Sequence, residues 1–201
     1  MISLKSLYRP ALVIALCVIA GTAAADNDGP DPSGLPPCQQ SSQADACRLP
    51  VRNGQFDSLD GWTRTSGLPS IGYDPAGNPH ASLYTGAGIH QAVYAHFGTL
   101  SQDAAYVLRF RVRSHNGDSR VRATLSMSDD AATHTLPLGS ATTMARNGEW
   151  SIMELAVNGT AFAAPAHVLL EIANEGGNHD TVQVDDVYLV QSVGTEVLRR
   201  R

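Results

Sequence analysis

Apolar and polar residues alternate along several short stretches of this chain, and a period of two is the pattern of a β-strand that buries one face. In residues 106–113 and again in residues 120–127, every second residue is apolar, and most of the residues between them are arginine, threonine or serine. We predict further strands at residues 150–157, 168–172 and 181–190, where apolar residues recur over similar lengths.

The first two predicted strands are joined by His115-Asn116-Gly117-Asp118, and Asn-Gly is typical of a hairpin turn. We therefore predict that the two strands are neighbours in one sheet. Their polar sides would then form one face that carries five arginines, namely Arg109, Arg111, Arg113, Arg120 and Arg122.

Turn-forming clusters separate the predicted strands, as at residues 74–79, 116–118 and 174–178. No stretch of the mature chain has a helical period. Without helices to cover it, a sheet must bury its apolar side against a second sheet. The predicted fold class is an all-β, two-sheet antiparallel β-sandwich, of which the jelly roll is a common form.

The first 25 residues have the pattern of a secretory signal peptide. Lys5 and Arg9 precede an apolar run at residues 11–20, and Ala23 and Ala25 form a small-x-small cleavage site. Cleavage near Ala25 predicts a protein that is secreted or periplasmic. No later apolar run is long enough to span a bilayer, so we expect no transmembrane segment after cleavage.

Residues 26–50 are rich in Asp, Pro, Gly, Ser and Gln, which is typical of a flexible leader. Cys38 and Cys47 are the two cysteines left after signal cleavage, and we expect them to form a disulfide in an oxidising compartment. The sandwich is predicted over residues 51–192, and residues 193–201 form a C-terminal tail.

Charge limits the choice of partner. Removal of Lys5 and Arg9 leaves 12 basic against 19 acidic residues, so the mature chain carries a net charge near −7 (12 − 19). An acidic protein of this kind is not expected to bind nucleic acid. The sequence leaves the oligomeric state open.

Four segments in order resemble the CenC-like carbohydrate-binding modules. Asn53-Gly54-Gln55-Phe56-Asp57 followed by Gly61-Trp62 is similar to the start of those domains, and residues 181–189 to their last strand. Residues 89–93 and 106–110 resemble the middle strands. The resemblance implies a galactose-binding-like jelly roll that holds a polysaccharide or cell-surface glycan without cleaving it, commonly beside a glycoside hydrolase.

The same resemblance implies a structural calcium ion between the first segment and the last strand. The matching acidic positions are Asp57 and Asp185, and carboxylate oxygens are ligands that calcium prefers. Another interpretation is open: Asp57 opens a turn, and Asp185 or Asp186 pairs with an arginine.

Candidate ligand-binding residues are aromatic or cationic. Tyr84 and Tyr94 could stack on sugar rings, whereas Trp62 matches a buried position of the family. The arginine face suits carboxylates and vicinal hydroxyls, which favours an acidic glycan. Alternatively, Glu154 and Glu171 pair with the arginines across the sheet, and the arginines are then structural.

The sequence gives little support for an enzymatic function. His90, Gln91, Tyr94 and Arg109 are the residue types that jelly-roll polysaccharide lyases use, but the local motifs of those enzymes are absent around them. We therefore predict a secreted, non-catalytic carbohydrate-binding module. The alternatives are a structural or adhesive domain of the cell envelope that binds protein, and a polysaccharide lyase or a part of a glycoside hydrolase system.

Overall fold

The computed structural model of the protein describes residues 34–38, 46–94, 104–129, 134–159, 166–177 and 180–193. The predicted signal peptide and nearly all of the predicted tail lie outside these residues. The described chain forms eleven strands: β1 Ala46–Leu49, β2 Thr63–Ser66, β3 Pro69–Tyr73, β4 Pro79–Tyr84, β5 Gly88–Tyr94, β6 Ala104–His115, β7 Ser119–Asp129, β8 Thr135–Ala145, β9 Ser151–Asn158, β10 Ala166–Asn174 and β11 Thr181–Val193.

The strands form two sheets. Sheet A has the order β3-β4-β11-β6-β9, and β1 also pairs with β11. Sheet B has the order β2-β5-β10-β7-β8. All strand pairs are antiparallel, so the predicted two-sheet sandwich is confirmed. Among the described residues, no helix has the length and apolar character that crossing a bilayer requires.

The core lies between the inner faces of the two sheets. The apolar sides predicted for β6 and β7 are both buried there. Phe56 and Trp62, from the loop that precedes β2, close the core with ring centroids 5.2 Å apart. The Trp62 indole donates a hydrogen bond to the Asn53 carbonyl at 3.2 Å, which confirms the prediction that Trp62 is a core residue.

The predicted hairpin between β6 and β7 is wrong. β6 pairs with β11 and β9 in sheet A, whereas β7 pairs with β10 and β8 in sheet B. Asn116 and Gly117, both with positive φ, therefore carry the chain from one sheet to the other. Alternation alone did not distinguish these cases, because two amphipathic strands can bury their apolar sides side by side or face to face.

The predicted disulfide between Cys38 and Cys47 is present, with the two Cα atoms 4.8 Å apart. Cys47 belongs to β1, which pairs with β11, and Leu49 at the end of β1 is part of the core. The folded domain therefore begins before residue 51 and includes a strand inside the segment that composition assigns to the leader. The disulfide joins residues 34–38 to that strand.

Candidate functional site

The five predicted arginines lie on two opposite surfaces of the sandwich. Arg109, Arg111 and Arg113 lie on the outer face of sheet A, and Arg120 and Arg122 lie on the outer face of sheet B. The prediction of one five-arginine face is therefore wrong, because it depended on the hairpin. Each outer face has to be considered as a site of its own.

The two predicted tyrosines are divided in the same way. Tyr84 ends β4, on the outer face of sheet A, and is 53% exposed. Tyr94 ends β5 in sheet B, where it pairs in register with His167, and its side chain lies outside the described part of the structure. Tyr84 is therefore brought to the same face as Arg109, Arg111 and Arg113.

The outer face of sheet B carries a band of polar side chains, which we call the polar trough. Its members come from the three central strands β5, β10 and β7. In register, Glu171 lies between His90 and Thr124, and Ser128 lies opposite His167. The trough consists of His90, Thr124, Ser126, Ser128, His167 and Glu171, and the apolar residues Ala92 and Leu169 lie in its middle row beside Ser126.

Burial increases along the trough. His90, Thr124 and Glu171 are half-buried, whereas Ser126, His167 and Ser128 are only 7%, 6% and 2% exposed. A side chain that points away from the core is buried only when something lies over it. One end of this face is therefore shielded from solvent, and the Ser128 hydroxyl there lies 3.4 Å from the Thr135 hydroxyl on β8.

The His90 ring contributes an unused hydrogen-bonding group to the trough. Its Nδ1 atom is buried and forms no hydrogen bond with the described part of the chain. Buried polar atoms are normally paired, because leaving one unpaired costs about 1–3 kcal/mol. His90 therefore keeps one buried ring nitrogen without a partner among the described residues.

The outer face of sheet A is organised around Trp150, the residue immediately before β9. The guanidinium carbons of Arg113 and Arg111 lie 4.6 and 5.1 Å from the centre of its ring. Arg111 also forms ion pairs with Asp185 and Asp186, each at 2.8 Å. The Arg113 Nε atom donates to the Gln183 side-chain oxygen. We call Trp150, Arg111, Arg113, Gln183 and His80 the indole–arginine cluster.

His80 is the buried member of this cluster. Its ring meets Trp150 edge to face, with centroids 6.4 Å apart, and burial together with the positive charge of Arg113 lowers its pKa. The ring fits because residue 72 is a glycine: a Cβ atom there would lie 2.6 Å from the His80 Nε2 atom. His80 is therefore a neutral packing partner of Trp150 near pH 7.

The alternative in which glutamates pair with the arginines holds in part. Glu154 lies opposite Arg109 in the register of β9 and β6. Glu171 instead lies opposite His90 and Thr124, while Arg122 pairs with Glu175 at 3.0 Å. Glu171 thus stays in the polar trough, and the sequence could not show this because it depends on which strands are neighbours.

The residues predicted for calcium have other partners. The Asp185 Oδ2 atom binds Arg111, and its Oδ1 atom accepts from the Asp186 amide at 2.8 Å, whereas Asp57 is exposed. Among the described residues, no group of three or more His, Cys, Asp or Glu side chains is placed to hold a metal ion. Calcium would have to displace these contacts of Asp185. If calcium binds, a chelator should lower the melting temperature of the protein.

The residues considered for a lyase do not come together. Gln91 points inward and holds the backbone of Arg52 through two hydrogen bonds of 2.6 and 2.9 Å. His90, the next residue on β5, points outward from sheet B, and Arg109 lies on sheet A. These three side chains therefore do not form a catalytic group.

Sequence reasoning missed Trp150, His80 and the buried part of the trough. One signal was present: Thr124, Ser126 and Ser128 alternate with core residues along β7, and small hydroxyl residues at three successive outward positions favour a polar surface. The contacts of Trp150 had no signal in the sequence, since they join strands that are distant in the chain.

Comparisons with known proteins identify the fold. A Stig cyclase from Fischerella sp. TAU has a TM-score of 0.57 at 15% identity, covering 74% of this chain and 99% of that one. A xylan-binding CBM22 domain from Paenibacillus barcinonensis has a TM-score of 0.50 at 12% identity, covering 71% and 92%. A CBM4 domain has a TM-score of 0.50 at 14% identity, covering 71% and 100%. No family model matches the chain, and no curated protein matches its sequence.

These similarities show that the chain has the jelly-roll sandwich of carbohydrate-binding modules. A cyclase shares the same sandwich, so the fold alone does not separate binding from catalysis. The functional assignment therefore depends on the chemistry of the two outer faces.

Proposed function

We propose that this protein is a secreted, non-catalytic carbohydrate-binding domain whose polysaccharide ligand lies in the polar trough of sheet B. The observation that carries the proposal is the burial of outward-pointing polar side chains there. Ser128 and His167 are almost fully buried although they point away from the core. A face of small hydroxyl, imidazole and carboxylate groups, with Ala92 and Leu169 between them, suits a ligand that presents hydroxyl groups and apolar ring surfaces.

The trough offers both donors and acceptors to such a ligand. Glu171 accepts hydrogen bonds from sugar hydroxyls, and the serine and threonine hydroxyls donate or accept. The half-buried His90 ring adds an imidazole that can donate or accept a hydrogen bond. At strand spacings of about 4.8 Å and about 3.3 Å per residue, the trough measures about 10 by 13 Å. That area takes a short run of sugar units.

The structural neighbours support the class of ligand. The CBM22 domain that shares this sandwich binds xylan, and the CBM4 domain has the same architecture. A non-catalytic role is supported by the separation of His90 on the outer face of sheet B, Gln91 in the interior and Arg109 on the outer face of sheet A. The signal-peptide pattern of residues 1–25 favours secretion.

The test is binding of the full chain to a panel of neutral polysaccharides, including xylan, β-glucan and galactan, by affinity electrophoresis and calorimetry. We expect the native protein to bind at least one of them. Glu171→Gln should weaken that binding at least tenfold, because the carboxylate is the strongest acceptor in the trough. Glu149→Gln makes the same chemical change at an exposed position away from sheet B, and it should bind as the native protein does.

Three results would contradict the proposal. One is the absence of binding to every neutral polysaccharide in the panel. Another is equal loss in the Glu171→Gln and Glu149→Gln variants. The third is release of shortened chains or of products with new ultraviolet absorbance, since either would indicate an enzyme.

A second candidate function is an adhesive domain of the cell envelope that binds protein. It is favoured by the large apolar side chains of Leu68, Tyr73 and Tyr84, which are exposed around β3 and β4. Single exposed apolar residues are common on protein surfaces, so this observation is weaker than the buried polar trough. A protein partner that remains bound to the Glu171→Gln variant would favour this function.

A further inference from the structure

Arg111 and Arg113 make a natural comparison within the indole–arginine cluster. They lie two residues apart on β6, on the same outer face, and both contact Trp150. Arg111 is neutralised by Asp185 and Asp186. Arg113 donates instead to the neutral amide of Gln183, and none of the ion pairs among the described residues includes it.

The charge of Arg113 acts on the Asp74 carboxylate, but the oxygens of that carboxylate are hydrogen-bonded within their own turn. Arg113 contributes to the lowered pKa of Asp74, but the main cause is hydrogen bonding from Asn78. Both Asp74 oxygens are used within their own turn, by the amides of Ala76 and Asn78 at 2.9 and 2.8 Å and by the Asn78 side chain at 3.0 Å. Asp74 therefore shapes the turn and is not in an ion pair with Arg113 among the described residues.

Arg113 is also held in place before any ligand arrives. The Trp150 ring supports its guanidinium at 4.6 Å, and Gln183 engages its Nε atom. A side chain that is already ordered loses little conformational entropy on binding, which leaves more of the interaction energy for affinity. The planar fork of a guanidinium matches the two oxygens of a carboxylate.

An exposed aromatic ring lies on the same face. Tyr84 pairs in register with Thr181 on β11, and Thr181 pairs with His115 on β6. The row of Ser82, Gln183 and Arg113 is the next one on this face. Sheet spacings put the Tyr84 and Arg113 backbones about 12 Å apart, which suits a sugar ring on Tyr84 and an acidic group from the same chain at Arg113.

We propose that the outer face of sheet A is a second ligand site, separate from the polar trough, that binds an acidic polysaccharide of the uronate type. Arg113 binds the carboxylate, and Tyr84 stacks on a sugar ring. Because the two sites face opposite sides of the sandwich, one domain can hold two polysaccharide chains at once.

The experiment measures binding of the full chain to polygalacturonate over a range of salt concentrations, with dextran sulfate as a second polyanion. We expect the native protein to bind polygalacturonate more tightly than dextran sulfate, and Arg113→Gln to weaken that binding at least tenfold. Arg120→Gln removes an equal charge from an exposed position on the other sheet, and its affinity should stay within twofold of the native value. Tyr84→Ala, a change at an exposed side chain that leaves the fold intact, should lose affinity severalfold.

The second site is overturned if the native protein does not bind polygalacturonate, if Arg113→Gln binds as well as the native protein, or if Arg120→Gln loses as much. Equal binding to dextran sulfate in all variants would also overturn it, since that result indicates attraction by charge alone. The two proposals fail separately. Glu171→Gln should keep polygalacturonate binding, and Arg113→Gln should keep xylan binding if xylan is the neutral ligand.

Discussion

The outer faces of sheets A and B both carry arginines that alternate with buried apolar residues. The partners of these arginines differ between the two faces. On sheet A, a bulge in β11 between Asp185 and Tyr188, with Asp186 at φ 50°, brings two consecutive aspartates to Arg111. On sheet B, β10 pairs regularly with β5 and β7 around Glu171, although β7 and β8 shift register between Leu125 and Ser126, and the buried outward positions hold serine and histidine. The bulge in β11 thus gives sheet A a charge-paired surface, while the central strands of sheet B carry mostly neutral groups.

The largest expected effect comes from breaking the charge pairing on sheet A. Arg111→Gln leaves the buried Asp185 carboxylate beside Asp186 without a cation, and we expect it to lower the free energy of unfolding by about 2 kcal/mol. Arg122→Gln breaks the exposed pair with Glu175 on sheet B, and we expect a change below about 0.5 kcal/mol. Urea denaturation of both variants measures the difference. Equal losses of unfolding free energy would show that the ion pairs of the two faces contribute equally to stability.

The next effect concerns the aromatic support of sheet A. Trp150→Ala removes two cation–π contacts and the cover of His80, so we expect a loss of about 1–2 kcal/mol in unfolding free energy. It should also weaken polygalacturonate binding, because Arg113 is no longer held. Trp150→Phe keeps an aromatic ring and should retain most of both. Xylan binding that falls with Trp150→Ala would contradict the independence of the two faces.

A pH effect follows from His80 on sheet A. Burial, and then the charge of Arg113, hold its pKa below the ordinary value of 6.5. The unfolded chain therefore takes up a proton near pH 6.5 that the folded chain does not. Its contribution to stability is complete above that pH and is lost as the pH falls below it. Melting curves from pH 7.5 to pH 5 should show this decline, and His80→Gln should flatten it. A decline of the same steepness in the variant would assign it to other groups.

The smallest effect is expected in the core that separates the two faces. Tyr106 is fully buried on β6, and its hydroxyl has no hydrogen-bond partner among the described residues. Burial raises the pKa of this phenol, so it stays protonated. Tyr106→Phe removes the unpaired group, and we expect it to raise the unfolding free energy by up to about 1 kcal/mol without changing binding at either face. Thermal denaturation checks this, and a clear loss of stability would mean that the hydroxyl is paired.

The sequence by itself determined the fold class, much of the core and the disulfide. A period of two needs no long-range information, because each strand shows its buried side through its own alternation. Residues 106–113 and 120–127 were therefore assigned correctly as strands with the correct buried sides. Cys38 and Cys47 pair by count, since they are the two cysteines left once the predicted signal peptide with Cys17 is removed.

Only the tertiary structure decided which strands are neighbours, and with that the composition of each face. Alternation states which side of β6 and β7 is buried but not which partner covers it, so it could not place Arg113 and Arg122 on opposite surfaces. The contact of Trp150 with His80 and the pairing of Ser128 with His167 arise between segments that are far apart in sequence. Their positions follow from strand order and the bulge at Asp186, which depend on the packing of the whole chain.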